Sequence, residues 1–153
     1  MQKITLLSIG KVRTPWIADG CAEYAKRLKT AASLLLYELP PGKSPDPARQ
    51  RDDESGRILE TARKLKGEII VLDETGTRVT SAQFAEALAG ARDTGTHLIF
   101  LLGGAYGFSD SVRQAGKTLR LSDMTFPHEL CRLLFLEQLY RAGEINRGSG
   151  YHH

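Results

Sequence analysis

Four short, largely apolar runs constrain this chain more than anything else in it: residues 4–9, 34–39, 69–72 and 98–102. Each is five or six residues long or shorter and ends at a turn signal, so each reads as a strand rather than a helix. Between them lie segments with helical spacing: 16–28 after Pro15, 48–66 after a proline-rich loop, and 81–91, which Ser81 or Thr80 can cap. A fifth short strand is expected over 118–121. Strands that read as nearly continuous apolar runs, alternating with helices, predict an α/β fold: a mostly parallel sheet covered by helices on both faces. At 153 residues the chain has room for one such domain, 1–153, with a core that needs neither disulfides nor metal.

The hydrophobic share of 41% and charged share of 25% are those of an ordinary soluble globular chain. The opening apolar run is too short for a signal peptide, and no stretch approaches a membrane span. Cys21 and Cys131 lie far apart in sequence with no ligand partners nearby, and read as buried free thiols in a reducing cytoplasm. No metal site is expected.

A doubly wound sheet binds ligands where its strands end at their carboxyl sides. Three loops meet that description: Leu72-Asp73-Glu74-Thr75-Gly76, then Gly103-Gly104-Ala105-Tyr106-Gly107, then 121–126. Glycines there let a ligand approach backbone, and Ser122, Asp123 and Thr125 add polar groups. The dinucleotide and P-loop fingerprints are absent, since Gly10-Lys11-Val12 follows the first strand and no glycine loop ends in Gly-Lys-Ser/Thr. Nucleophile triads leave no signal either.

The loop Pro40-Pro41-Gly42-Lys43-Ser44-Pro45-Asp46-Pro47 holds four prolines in eight residues, so it reads as an excursion from the sheet with the makings of a lid. Basic residues cluster at Lys11 and Arg13, at Lys26, Arg27 and Lys29, at Lys43, at Arg49 and Arg51, and at Arg141 and Arg147. A phosphate-binding face requires some of them to converge in space. The last helix is expected from Pro127, in its first turn, to residue 145. Placed at about 100° per residue, Leu130, Cys131, Leu133, Leu134, Phe135, Leu136, Leu139 and Tyr140 surround its axis. A helix apolar on all sides needs cover on all sides, which predicts a homodimer built on it.

Three stretches carry a resemblance: Gly103-Gly104-Ala105-Tyr106-Gly107-Phe108-Ser109, Leu121-Ser122-Asp123-Met124-Thr125-Phe126-Pro127-His128-Glu129-Leu130 and Glu137-Gln138-Leu139-Tyr140-Arg141-Ala142. With the opening strand and Gly10-Lys11, the Leu39-Pro40 and Gly42-Lys43 pairs, the Leu72-Asp73 loop and the terminal Tyr151-His152-His153, the chain resembles along its whole length the bacterial ribosomal RNA large subunit methyltransferase H family, of the SPOUT class. The resemblance implies a carboxyl-terminal trefoil knot, which no periodicity reveals. It also implies S-adenosylmethionine bound at Leu72, Gly103, Leu121, Ser122, Asp123, Met124, Thr125 and Phe126, and methylation of N3 of a pseudouridine in a 23S rRNA stem-loop. His128, His152, His153 or solvent are alternative acceptors of the N3 proton, and the sequence does not choose among them. In the family the tail of one protomer is thought to complete its partner's site, which makes Arg141, Tyr151, His152 and His153 RNA-facing. A charge of only +3 per chain suggests a large folded target, such as the ribosome, rather than a bare hairpin. The family's proline before the final Tyr-His is replaced by Gly150, which loosens the tail. The competing reading is a non-catalytic RNA-binding knot protein.

Overall fold

The computed structural model describes residues 1–153. Five strands form one sheet: β1 (Gln2–Ile9), β2 (Ala32–Leu39), β3 (Glu68–Arg78), β4 (Leu98–Leu102) and β5 (Lys117–Arg120). They run in the order β2-β1-β4-β3-β5, and every pairing is parallel. The helices are α1 (Pro15–Leu28), α2 (Pro47–Lys64), α3 (Ser81–Asp93), a single turn α4 (Asp110–Arg113) and α5 (His128–Arg147).

Successive residues of a strand face opposite sides, and β4 shows what this builds. Leu98, Phe100 and Leu102 enter one apolar core with α1, α3 and α5, where the Phe100 and Phe135 rings lie 4.7 Å apart. Ile99 and Leu101 enter a second core with Ile58 and Ala62 of α2 and Val112 of α4. The α/β expectation holds, with both faces covered.

Local chemistry sets most element boundaries. The Asp46 carboxylate accepts the Arg49 amide at 3.2 Å and Pro47 opens α2, while Thr80 and Gln83 form a reciprocal capping box on α3. Pro127 stands just before α5, as its cap residue rather than in its first turn. β3 runs past Leu72 to Arg78, with a register shift against β5 between Leu72 and Thr77. The segment read as a loop after Leu72 is therefore a bulged continuation of the strand. The proline-rich loop is tied down: Gly42 donates to Glu54 at 2.8 Å, and Arg57 donates to the Pro40 carbonyl at 2.6 Å.

α5 packs between α1 and α3, and Phe135, Leu136, Leu139 and Ala142 are buried within this one chain. Leu130, Leu133 and Leu134 stay half-buried. Both cysteines are free and half-buried rather than fully buried. No helix is long and apolar enough to cross a membrane, and no group of three or more His, Cys, Asp or Glu side chains is placed to hold a metal.

Candidate functional site

A cavity of about 450 Å³ opens at the carboxyl ends of β3, β4 and β5, where a parallel sheet presents its ligand crevice. Three stretches of backbone wall it: Leu72 to Glu74, where β3 slips its register against β5, Gly103 to Phe108, and the segment joining β5 to α5, with His128 and Cys131 from the first turn of α5 behind. Seven of the eight residues proposed for the cofactor, Leu72, Gly103, Leu121, Ser122, Met124, Thr125 and Phe126, meet there. Asp123 does not. Its carboxylate turns outward and accepts Arg78 at 2.9 Å and Arg120 at 3.0 Å.

The walls are fastened to one another. Gly107 donates to the Gly104 carbonyl at 3.1 Å and adopts φ +69°, closing a tight turn that only a residue without Cβ takes without strain. A Cβ on Gly103 would sit 3.2 Å from the Gly107 backbone, so this glycine serves the turn as well as any ligand. Thr125 donates to Glu74 at 3.2 Å, joining the first wall to the third, and the Ser122 hydroxyl accepts the Met124 amide at 3.0 Å. Cys131 Sγ lies 3.6 Å from the Phe126 carbonyl. Burial, with the Glu74 charge adding to it, raises the thiol's pKa and keeps it protonated.

Asp73 is the best-held charge in the cavity. Burial pushes its pKa up, but the Thr75 hydroxyl and amide and the Arg113 guanidinium, 3.1 Å away, outweigh this and lower it. With Arg113 paired to Asp73, and Glu74 carrying a further negative charge, the walls hold no unpaired guanidinium or ammonium. Apolar surface, backbone amides and a slight negative excess suit a ligand with an apolar ring system and a cationic centre.

Sequence reasoning did not find the support beneath the glycine turn. Glu54, on α2 and 1% exposed, has Oε1 without a partner, 3.2 Å from where a Cβ on Gly104 would lie. Ser55 beside it accepts the Ser109 amide at 3.0 Å. The Glu-Ser pair reads in sequence as the solvent side of a polar helix, and nothing in its spacing marks it as buried.

Of the proton-acceptor candidates only His128 lines the cavity; His152 and His153 are on the exposed tail. The tail lies on its own α5. Tyr151 donates to Glu137 at 3.1 Å, Arg141 spans Glu137 at 2.6 Å and His152 at 3.2 Å, and the Arg141 guanidinium stacks 4.8 Å from the Tyr151 ring. Burial, with bonds to Tyr24 and Glu137, raises the Tyr151 pKa. Gly150 has φ +82°, a value closed to proline, whose ring fixes φ near −65°. The tail path seen here therefore depends on glycine at position 150.

The chain matches a family profile described as "Predicted SPOUT methyltransferase" over residues 2–152. It is 41% identical to the ribosomal RNA large subunit methyltransferase H of Trichlorobacter lovleyi, with 99% of each chain aligned. The protein of that name from Geotalea daltonii is also 41% identical, over 99% of each chain. The one from Desulfovibrio desulfuricans is 42% identical over 96% of this chain and 95% of that protein. Identity of this level over almost the full length, on an all-parallel α/β sheet with a cavity at its strand ends, places the chain in the SPOUT methyltransferase family, among the large-subunit ribosomal RNA methyltransferase H proteins.

Proposed function

We propose that this protein transfers the methyl group of S-adenosylmethionine to N3 of a pseudouridine in 23S rRNA, acting on the large ribosomal subunit in the cytoplasm. The observation that carries this reading is the convergence of the β3 bulge, the loop after β4 and the segment after β5 on one cavity, in a chain whose relatives are named as ribosomal RNA methyltransferases. The family's trefoil knot belongs to the same reading.

Leu72, Leu121, Met124 and Phe126 supply apolar walls for the adenine, and the backbone around Gly103 and Ser122 supplies hydrogen bonds. Glu74 offers a carboxylate to the cationic part of the cofactor. S-adenosylmethionine contributes an electrophilic methyl on a positively charged sulfur. The residues' work is then mainly positional: they hold donor and base nitrogen in line at contact distance and keep water out. The N3 proton leaves to His128 from the cavity wall, or to His152 or His153 of a tail reaching in from the second subunit of a homodimer. That dimer forms on the half-buried apolar side of α5, and Arg141 and Tyr151 face the RNA in it.

The test is tritium transfer from labelled S-adenosylmethionine to ribosomes and to naked rRNA from cells lacking the endogenous enzyme, with Gly103→Trp as control. Label on a pseudouridine, lost in the control, supports the reading. Cofactor binding with no transfer to either substrate sinks the methyltransferase reading, and absence of cofactor binding favours the non-catalytic RNA binder. Sedimentation at micromolar concentration tests the dimer, and a monomer removes the shared site.

A further inference from the structure

Basic residues that lie apart in sequence are carried by the two segments that leave one end of the sheet after β1 and β2. Lys11 and Arg13 follow β1, and Lys43 and Arg49 follow β2. β1 and β2 are parallel neighbours, in register from Gln2 against Ala32 to Ile9 against Leu39, so their following loops leave the same edge side by side. Gly10 donates to the Leu39 carbonyl at 2.7 Å and joins them at the root.

All four cations are exposed, and none has a carboxylate within 4.0 Å. The carboxylates that bracket these loops are engaged elsewhere. Glu38 pairs with buried Arg132 at 2.6 Å, Asp46 caps α2, Glu54 is buried under Gly42, and Glu129 accepts the Thr14 amide at 3.1 Å. A charge left unpaired while its neighbours are satisfied by backbone is free to meet an incoming anion.

The loops are also held in place. Arg132, 6% exposed, donates to the Gly10 carbonyl at 2.9 Å, and Glu129 fixes the other end of that loop. Glu54 fixes Gly42, and Arg57 fixes Pro40. Two of these anchors adjoin residues that line the cavity. Glu129 follows His128 in the first turn of α5, and Glu54 Oε1 and the Ile9 side chain both lie 3.2 Å from the Cβ position of Gly104. A cation ridge is thus fastened directly to the wall of the candidate cofactor site.

We propose that Lys11, Arg13, Lys43 and Arg49 form a phosphate-contacting ledge that seats the RNA backbone beside the cavity. This rests on the RNA-substrate reading above and names the surface that provides its affinity. Phosphate contacts of this kind fix register without reading sequence, and each one lost flattens the salt dependence of binding.

The experiment compares Lys11→Glu/Arg13→Glu and Lys43→Glu/Arg49→Glu with a control pair, Lys26→Glu/Lys29→Glu, at the far end of α1. The position of Arg49 lies in the first turn of α2, where a negative charge suits the helix, so the reversal does not threaten folding. Retention of 23S rRNA on filters is read from low to moderate salt, with cofactor affinity by calorimetry and Tm alongside. Each ledge pair is expected to weaken retention about tenfold and to flatten the log-log salt slope by about one to two units. The control pair should stay within about twofold, with cofactor affinity unchanged throughout. Ledge pairs that retain rRNA like wild type, or a control pair that falls as far, overturn the proposal. Retention is read without transfer, so wild type that holds rRNA and loses it in the ledge pairs but transfers no methyl sinks the methyltransferase reading alone. Wild type that holds 23S rRNA neither free nor within the large ribosomal subunit sinks both.

Discussion

Two cavities in this molecule share a wall and differ in almost everything else. The larger, about 750 Å³, runs between α3 and the β3 and β5 side of the sheet, past Phe84, Leu88, Leu98 and Phe100. The smaller, about 450 Å³, sits at the strand ends. Arg113 and Leu119 line both. The larger exists because α5 returns to the face that already carries α1 and α3 and lodges between them, so three helices cover five strands incompletely. Its walls are mainly side chains of regular helix and strand, whose backbone groups are already spent. The smaller is walled by glycine turn, bulge and connecting segment, which leave amides and carbonyls free. What distinguishes a candidate site is the unspent backbone that converges on it, not its size.

Gly103→Trp should show the largest effect. An indole there fills the small cavity and meets the Gly107 backbone, and cofactor affinity is expected to fall by about a hundredfold or more. Calorimetry with S-adenosylmethionine reads it, with near-ultraviolet dichroism to verify the fold. Retained affinity would put the ligand elsewhere and break the comparison. Phe126→Ala comes next. Removing one aromatic wall at the mouth of α5 should cost about tenfold in affinity, with little change in Tm, since Phe126 is only half-buried.

Asp73→Asn probes the shared wall through pH. Because the folded-state pKa of Asp73 is lowered, its ionised form contributes stability that is fully present above the ordinary carboxylate value of about 3.9 and is lost as pH falls through the lowered folded value. The substitution should therefore lower the urea midpoint at pH 7, and the gap from wild type should close once pH falls below the lowered folded value. A gap that persists there would mean that Asp73 acts by packing rather than by charge.

Much of this was legible in the sequence because it depends on local pattern. The four short apolar runs and the helical spacing between them specify the α/β alternation, and the strand-end rule then selects the three segments that meet at the cavity, although the first of them is a bulge of β3 rather than a loop. What the sequence hid depends on contacts between distant residues. α4 is four residues long, too short to show a period. The bulged end of β3 exists because Thr77 and Arg78 find Leu119 and Arg120 across the sheet. Asp123 looked like its neighbours in the cofactor run, yet two guanidiniums from different elements draw it outward. Arg132 and Glu54 are charged residues that hydropathy assigns to the surface, and they are buried because loop backbone groups need them.

The smallest expected effect tests the comparison from its other side. Ala87 is exposed on α3 and lines the larger cavity, so Ala87→Trp places an indole over that groove without disturbing a buried neighbour. Cofactor affinity is expected to stay within about twofold of wild type, because the small cavity keeps its backbone donors and its apolar walls. The shared Arg113 makes this a sharp test. Its guanidinium is held on the small-cavity side by Asp73 at 3.1 Å and Asp110 at 2.8 Å, so filling the groove should not pull it away. If affinity instead fell about tenfold, the ligand would reach the groove or feel it through Arg113, and the two cavities would have to be treated as one site.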